Sequence, residues 1–282
     1  MNNELEQIVK SALKEDIGSG DLSANLLRNK TISAQVICRD KAIICGCEYF
    51  NLCFSSLDSN IRIDWKVKDG SNVSPGETIC TINGNSQAII TAERTALNFL
   101  QLLSAVATKT SFLVKQISNT NAKLLDTRKT IPGLRKAQKY AVKCGGGLNH
   151  RMGLYDCVML KENHILAFGS LEKCLKKATS QYPNKPIIIE VETLEQLQTA
   201  LSVNGIMRIL CDNFSITELS QAVKLSRGVY PLEASGGINE NNIVDYAETG
   251  VDYISIGSIT KDINSIDSVS YTHLTLPTIL LV

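Results

Sequence analysis

The sequence predicts an α/β protein in two parts, and three observations predict it. From Thr31 to about Ile90 the chain breaks into short β-like runs, ISAQVICRD, KAIICGCEYF, IRIDWKVKDG and GETICTING, with Gly and Pro at the turns. TAERTALNFLQLLSAVATKTSFLVKQI then holds a helical period with few breakers, enough for one or two helices. Six apolar runs follow, AKLLD, DCVMLK, PIIIEVE, MRILCD, YPLEAS and DYISIG, with helical segments between them. Continuous apolar strands alternating with helices mean a parallel sheet with helices outside it, because a strand buried on both faces shows no polar alternation. Such units suggest a barrel, complete or not, with an open doubly wound sheet as the alternative.

The ends of the chain read differently. MNNELEQIVKSALKEDIG is acidic throughout and places Leu5, Ile8, Val9, Ala12 and Leu13 at helical spacing. That is an amphipathic helix, not a signal peptide, which needs a basic start and an unbroken apolar stretch. No run is read as long enough to span a membrane. In the second part, Thr193 with Gln196 and Ser215 with Glu218 have capping-box spacing and mark helix starts. The last stretch, SVSYTHLTLPTILLV, follows a finished helix–strand unit and resembles translated sequencing adapter. The chain is therefore expected to be natural only to about Asp267, with residues 268–282 a non-native tail.

Bulk numbers narrow the partners. The chain has 282 residues, 44% apolar and 20% charged, with 29 basic and 28 acidic side chains for a net charge of +1. That balance argues against nucleic acid or membrane as the main partner, so recognition by charge must be local. None of the nine cysteines falls in a CxxC pair, and most read as small buried hydrophobes in a reducing, cytoplasmic compartment.

Local charge is what the strand ends provide. In a parallel β/α barrel, chemistry sits where the strands end and the loops converge. Read in order, those ends give Asp126, Arg128 and Lys129; Lys161, Glu162 and Asn163; Glu190 and Glu192; Asp212 and Asn213; Glu233, Ser235, Gly236 and Gly237; Gly257 and Ser258. GGGLNHRMG adds His150 and Arg151. Such a mouth suits a polyanionic ligand, and burying so many like charges without one is costly. Arginine matches the two oxygens of a carboxylate, lysine is a point charge for phosphate, and ASGGI and SIGSI place backbone amides near helix starts, where a monophosphate fits. Glu190 and Asp212 suit Mg²⁺, sugar hydroxyls or a cation developing on a sugar carbon.

LLDTRKTIPGLRKAQKYAVKCGGGLNHRMGLYD, with VMLKENHI after it, resembles the core of the quinolinate phosphoribosyltransferase family. The resemblance runs from EDIGSGDLS through TAERTALNFLQ, IIIEVE, CDNF and EASGGI to YISIGSIT, nearly the whole chain before the tail. It implies an N-terminal α/β sandwich domain (1–106), an incomplete parallel β/α barrel (107–267), and transfer of phosphoribose from phosphoribosyl pyrophosphate (PRPP) to quinolinate. The products would be nicotinate mononucleotide, pyrophosphate and CO₂, with Mg²⁺ as cofactor, in NAD biosynthesis. It also implies a homodimer, with higher homo-oligomers allowed, in which Arg94 of TAERT reaches the partner's site. By motif, Arg128, His150, Arg151 and Lys161 would hold quinolinate, with Lys129 between the two substrates and Thr127 among the substrate-binding residues. Glu190 and Asp212 would face ribose and metal, directly or through water. Ser235, Gly236, Gly237, Gly257, Ser258 and Ile259 would hold the 5′-phosphate. The resemblance makes Lys129, Lys161, Glu190 and Asp212 the catalytic set.

Two departures stand out. Ser258 occupies a place where the family commonly has alanine, and the tail replaces a short apolar strand that helps close the N-terminal domain. Three other readings compete. VKDGSNVSPGETICTI resembles the hairpin of a biotinyl or lipoyl carrier, although the aligned NGNSQAII has no lysine to modify. Lys161 could serve a Schiff-base lyase or aldolase. The same fold could also take nicotinate, against which Arg94, Arg128 and Arg151 argue by offering more than one carboxylate grip.

Overall fold

A computed structural model describes residues 2–273, divided into two compact units. The first takes in the described part of Met1–Thr108 and Ile263–Val282; the second is Lys109–Asp262. The chain thus returns to its first unit after Asp262, ahead of the break expected at 267.

In the first unit, α1 (Asn2–Ile17) buries Val9 and Leu13, as an amphipathic helix should. β1 (Thr31–Cys38) buries Ile32, Ala34, Val36 and Cys38, the period of two of a strand covered on one face. The run KAIICGCEYF departs from expectation: only β2 (Ala42–Ile43) is strand, and α2 (Cys47–Ser55) begins inside it. Gly46, at φ +111°, breaks the extended chain there. Asp69 then accepts the N–H groups of Gly46 and Cys47 at 2.9 and 3.1 Å, capping the new helix. β3 (Arg62–Trp65), β4 (Asn72–Val73), β5 (Glu77–Asn85) and α3 (Ser86–Gln116) follow. β3 and β1 flank β5 in antiparallel pairing, while β2 and β4 form a ribbon of their own. Phe50 meets Trp65 edge-on at 5.2 Å and Tyr49 packs on Phe99 of α3 at 5.1 Å, so α2, α3 and the sheet share one core. NGNSQAII is the junction of β5 and α3, not a hairpin tip, which removes the carrier reading.

α3 corrects a second expectation. Among the described residues it is the one helix long and apolar enough, by composition, to cross a membrane. Of its most apolar stretch 56% is buried inside the protein, the pattern of a core helix.

The second unit alternates as predicted. In order it holds β6 (Lys123–Leu125), α4 (Arg135–Cys144), β7 (Val158–Leu160), α5 (Glu162–Phe168), α6 (Leu171–Gln181), β8 (Ile187–Val191) and α7 (Leu194–Leu201). β9 (Arg208–Asp212), α8 (Ile216–Ser226), β10 (Leu232–Ser235), α9 (Ile243–Glu248), β11 (Tyr253–Ser255) and α10 (Ser258–Lys261) complete it. The six strands are parallel in the order β6-β11-β10-β9-β8-β7. A doubly wound sheet reverses its direction of growth at a central strand. Here β7 to β11 follow one another in one direction and β11 then joins β6, which is a barrel left open between β6 and β7. On the free side of β6 the described residues make a single bridge, Leu125 to Leu148. Helix starts follow the sequence. Thr193 accepts the Gln196 N–H at 3.2 Å, and Ser215 and Glu218 form a full capping box.

β12 (Ser268–His273) returns to the first unit and pairs antiparallel with β1, from Cys38↔Ser268 to Ser33↔His273. The N-terminal sheet therefore does not lack a closing strand. Ladder pairing asks only for extended backbone, so a Ser- and Thr-rich segment can supply it. Arg39 adds a hydrogen bond to the Tyr271 hydroxyl at 2.8 Å, and Gln101 donates to the Ser268 carbonyl at 2.8 Å. The rest of the expected tail, 274–282, lies outside the described residues. A chain ending at Asp267 leaves β1 as an open edge, and its Tm is expected to fall by roughly 5 °C or more in a thermal melt. An unchanged Tm would show that β12 adds nothing.

Candidate active site

The strand ends of the barrel surround a cavity of about 420 Å³. Thr127, Arg128 and Lys129 enter it after β6, His150 and Arg151 from the segment before β7, and Lys161 after β7. Glu190, Asp212 and Ser235 stand on β8, β9 and β10, with Met159 and Leu210 as an apolar wall. Parallel strands bring these residues together because all of them end on the same side. A larger cavity, about 650 Å³, shares Arg128, Arg151, Met159 and Lys161 and reaches toward α5 and α6. Glu190, Asp212, Lys129 and His150 line the smaller one only, so the chemistry is assigned there.

Each cation has a defined setting. Lys161 forms an ion pair with Glu190. Such a pair suits an anion grip more than the free amine that a Schiff base requires. Arg151 donates to the Cys157 carbonyl at 3.2 Å. Burial, then the neighbouring Arg128 guanidinium, lowers its pKa from the ordinary value. Two guanidiniums that repel across a cavity are relieved by a dianion between them. His150 Nδ1 accepts the Arg151 N–H at 2.7 Å, which puts the ring proton on Nε2, 3.5 Å from Glu233. Asp212 accepts from the Asn213 amide at 2.9 Å.

The glycine loops divide. Gly236 and Gly237 both have positive φ, +96° and +64°, and a side chain on Gly236 would sit 2.1 Å from Asn213 Oδ1. Only glycine fits that position. The helix expected directly after this loop starts later, at Ile243, so the loop amides do not belong to a helix start. Gly257 does cap α10, with Ser258 and Ile259 in its first turn. A Cβ on Gly257 would come within 2.8 Å of Lys129 Cδ, so the glycine leaves room for that lysine. These residues do not line the cavity itself. Arg94 lies exposed on α3 in the first unit.

Three buried charged residues correct or add to the strand-end reading. Asp126, counted there among the charges of the mouth, is fully buried, ion-paired with Lys139 of α4 and absent from the cavity wall. Glu233, read at the mouth, is fully buried yet reaches the cavity wall beside Ser255. Arg208, missed altogether, lies with Nε 2.7 Å from Glu233 Oε2, off the line of a hydrogen bond, and stacks 4.7 Å over the Tyr253 ring. Burial pushes the Glu233 carboxyl up, but His150 and Arg208 beside it prevail and hold it below its ordinary value. The available signal was an arginine opening an apolar strand, MRILCD, since a charge there must find a partner. His164 accepts the Lys161 N–H at 3.1 Å and caps α5, a structural role.

Known proteins match both parts of the chain. Residues 21–104 match the N-terminal domain of quinolinate phosphoribosyl transferase and residues 106–269 its C-terminal domain. A probable nicotinate-nucleotide pyrophosphorylase (carboxylating) of Bacillus subtilis is 38% identical over 266 residues, 94% of this chain and 92% of that protein. The Mycobacterium leprae nicotinate-nucleotide pyrophosphorylase (carboxylating) is 35% identical over 267 residues, 92% of this chain and 94% of that one. The solved structure of nicotinate-nucleotide pyrophosphorylase from Francisella tularensis superposes with a TM-score of 0.95 at 45% identity, covering 96% of this chain and 97% of that one. Fold, motifs and relatives converge: the chain belongs to the quinolinate phosphoribosyl transferase family.

Proposed function

We propose that the protein transfers phosphoribose from PRPP to quinolinate with loss of CO₂, giving nicotinate mononucleotide and pyrophosphate for NAD synthesis. The observation that carries this is the cavity at the barrel mouth, where Arg128, Lys129, Arg151 and Lys161 face Glu190 and Asp212. Arg128, Arg151, His150 and Lys161 hold the two adjacent carboxylates of quinolinate, and Met159 and Leu210 flank its ring. Thr127 and Lys129 stand between quinolinate and PRPP. Ser235, Gly236, Gly237, Gly257, Ser258 and Ile259 receive the 5′-phosphate. Arg94 completes the diacid grip of a partner subunit in a homodimer. Nine cysteines with no disulfide among the described residues support the cytoplasm as the compartment.

Catalysis follows from charge placement. As pyrophosphate departs, the ribose carbon becomes cationic, and the carboxylates of Glu190 and Asp212 offset that charge. Lys129 and Lys161 stabilise the leaving group. The pyridine nitrogen forms the new bond to the ribose carbon and becomes positive. The ring then accepts the electron pair of the C–CO₂ bond as CO₂ leaves, and a proton takes the vacated position. A grip too strong on the departing carboxylate would hold back that step, so the cations chiefly orient the diacid.

Mg²⁺ is assigned to Glu190 and Asp212. Among the described residues no group of three or more His, Cys, Asp and Glu side chains could cage a metal. Glu190 and Asp212 on one cavity would instead suit an oxygen-seeking ion, held directly or through water. When bound, it neutralises charge on the pyrophosphate. The test is release of CO₂ and nicotinate mononucleotide from quinolinate, PRPP and Mg²⁺, with nicotinate as control base. Turnover of quinolinate and none of nicotinate is expected; folded protein inactive with both would end this reading.

A further inference from the structure

The barrel is open between β6 and β7, yet His150 and Arg151, which the diacid needs, come from the segment that crosses this opening. Something other than a strand ladder must hold them. Among the described residues Leu148 gives the one bridge to the free side of β6: its N–H donates to the Leu124 carbonyl at 2.9 Å, and its carbonyl accepts the Asp126 N–H at 3.1 Å. On the far side, Arg151 reaches the Cys157 carbonyl just before β7. Arg135 donates to the Met152 carbonyl at 3.2 Å and Glu233 faces the His150 ring at 3.5 Å. The backbone of His150 itself is held by two fully buried charged residues, Asp126 and Lys139.

Asp126 Oδ1 accepts the His150 N–H at 2.9 Å, and Lys139 Nζ donates to the His150 carbonyl at 2.9 Å while pairing with Asp126. Asn149, with its NH₂ turned toward these acceptors, donates to Asp126 Oδ2 and to the Lys139 carbonyl, both at 2.9 Å. His150 is thus clamped at its N–H and at its carbonyl by the two halves of one ion pair. We propose that the buried Asp126–Lys139 pair, with Asn149, takes the place of the missing barrel strand and positions His150 and Arg151 for the diacid.

Stability alone does not explain the pair. Burial drives the Asp126 carboxyl above its ordinary value and the Lys139 ammonium below its own, although each has the other as partner. A buried pair of this kind is often replaceable by neutral groups at little cost, whereas it can fix one conformation among several. The pair joins three pieces of chain, the end of β6 through Asp126, α4 through Lys139, and the segment 149–150 that both of them bind.

The inference rests on the phosphoribosyl-transfer reading for its kinetic readout. The double variant Asp126→Asn/Lys139→Met removes both charges, keeps an acceptor for the His150 N–H and leaves no charge unpaired. It is expected to raise KM for quinolinate by about 10-fold or more, keep KM for PRPP within about twofold, and speed amide hydrogen exchange across residues 148–152 by about 10-fold. A folded double variant with both KM values and that exchange unchanged would make the pair purely structural, as would an equal rise in both KM values. Should the double variant not fold, Asn149→Ala leaves the charges paired and is read by the same split. Hydrogen exchange needs no activity, so failure of this inference is separable from failure of the assigned reaction, which shows in the parent protein's own assay.

Discussion

Arg151→Met is expected to lower kcat/KM for quinolinate by roughly 10³-fold and to leave stability within about 1 kcal/mol of the parent. The first figure follows from the bonds lost. A guanidinium gripping a carboxylate through two charge-assisted hydrogen bonds contributes about 1.5–3 kcal/mol for each, and about 1.4 kcal/mol is tenfold. The second follows from what the free protein gains and loses. Removing Arg151 gives up its bond to the Cys157 carbonyl but also ends the repulsion from Arg128. A site that crowds like charges is built for its ligand, so the substitution should separate function from stability. Steady-state kinetics and a thermal melt on the same preparation check both. A loss of turnover matched by a fall in Tm would instead make Arg151 a structural residue.

The opposite signature is expected one layer down. Arg208→Met leaves the Glu233 carboxylate buried beside only His150 and Ser255, and breaking a buried pair in this way costs about 3–5 kcal/mol, or roughly 8–15 °C in Tm. Its pH dependence has a definite sign. In the parent, Glu233 titrates below its ordinary value of 4.5. Its stabilising contribution is therefore complete above that ordinary value and is lost as pH falls through the lowered one. Without Arg208 the uncompensated burial raises the carboxyl, so protonation relieves the variant. The gap in Tm between parent and variant should be widest at neutral pH and should narrow as pH falls toward 4.5 and below. A gap independent of pH would mean that Arg208 acts through its packing on Tyr253 alone.

How much of this was legible depended on whether a residue's role followed from its place along the chain or from the direction of its side chain. Thr193 and Ser215 announce helix starts because capping is a local contact, three residues away. Arg128, Lys161, Glu190 and Asp212 could be gathered into one cavity because the parallel rule puts strand ends on one side, whatever the side chains do. Asp126 shows the limit. It stands two residues from Arg128, but its carboxylate turns inward to Lys139, and Lys139 sits on a helix whose composition reads as a solvated surface. Sequence adjacency does not tell which way a residue faces once the ladder ends. Arg208 was lost for a related reason: it opens its strand, and only the length of its side chain brings it to Glu233. KAIICGCEYF misled because Asp69, some twenty residues on, caps the helix that starts within it. The strand role of 268–273 was hidden because edge pairing uses backbone, which composition does not describe.

The central claim is that the smaller cavity is a dicarboxylate site, and a crystal structure with quinolinate bound tests it most directly. The account predicts both carboxylates within hydrogen-bond reach of Arg128, Arg151, His150 and Lys161, with the ring nitrogen turned toward Glu190 and Asp212. Quinolinate seated instead in the larger cavity between α5 and α6, out of reach of His150, would contradict it.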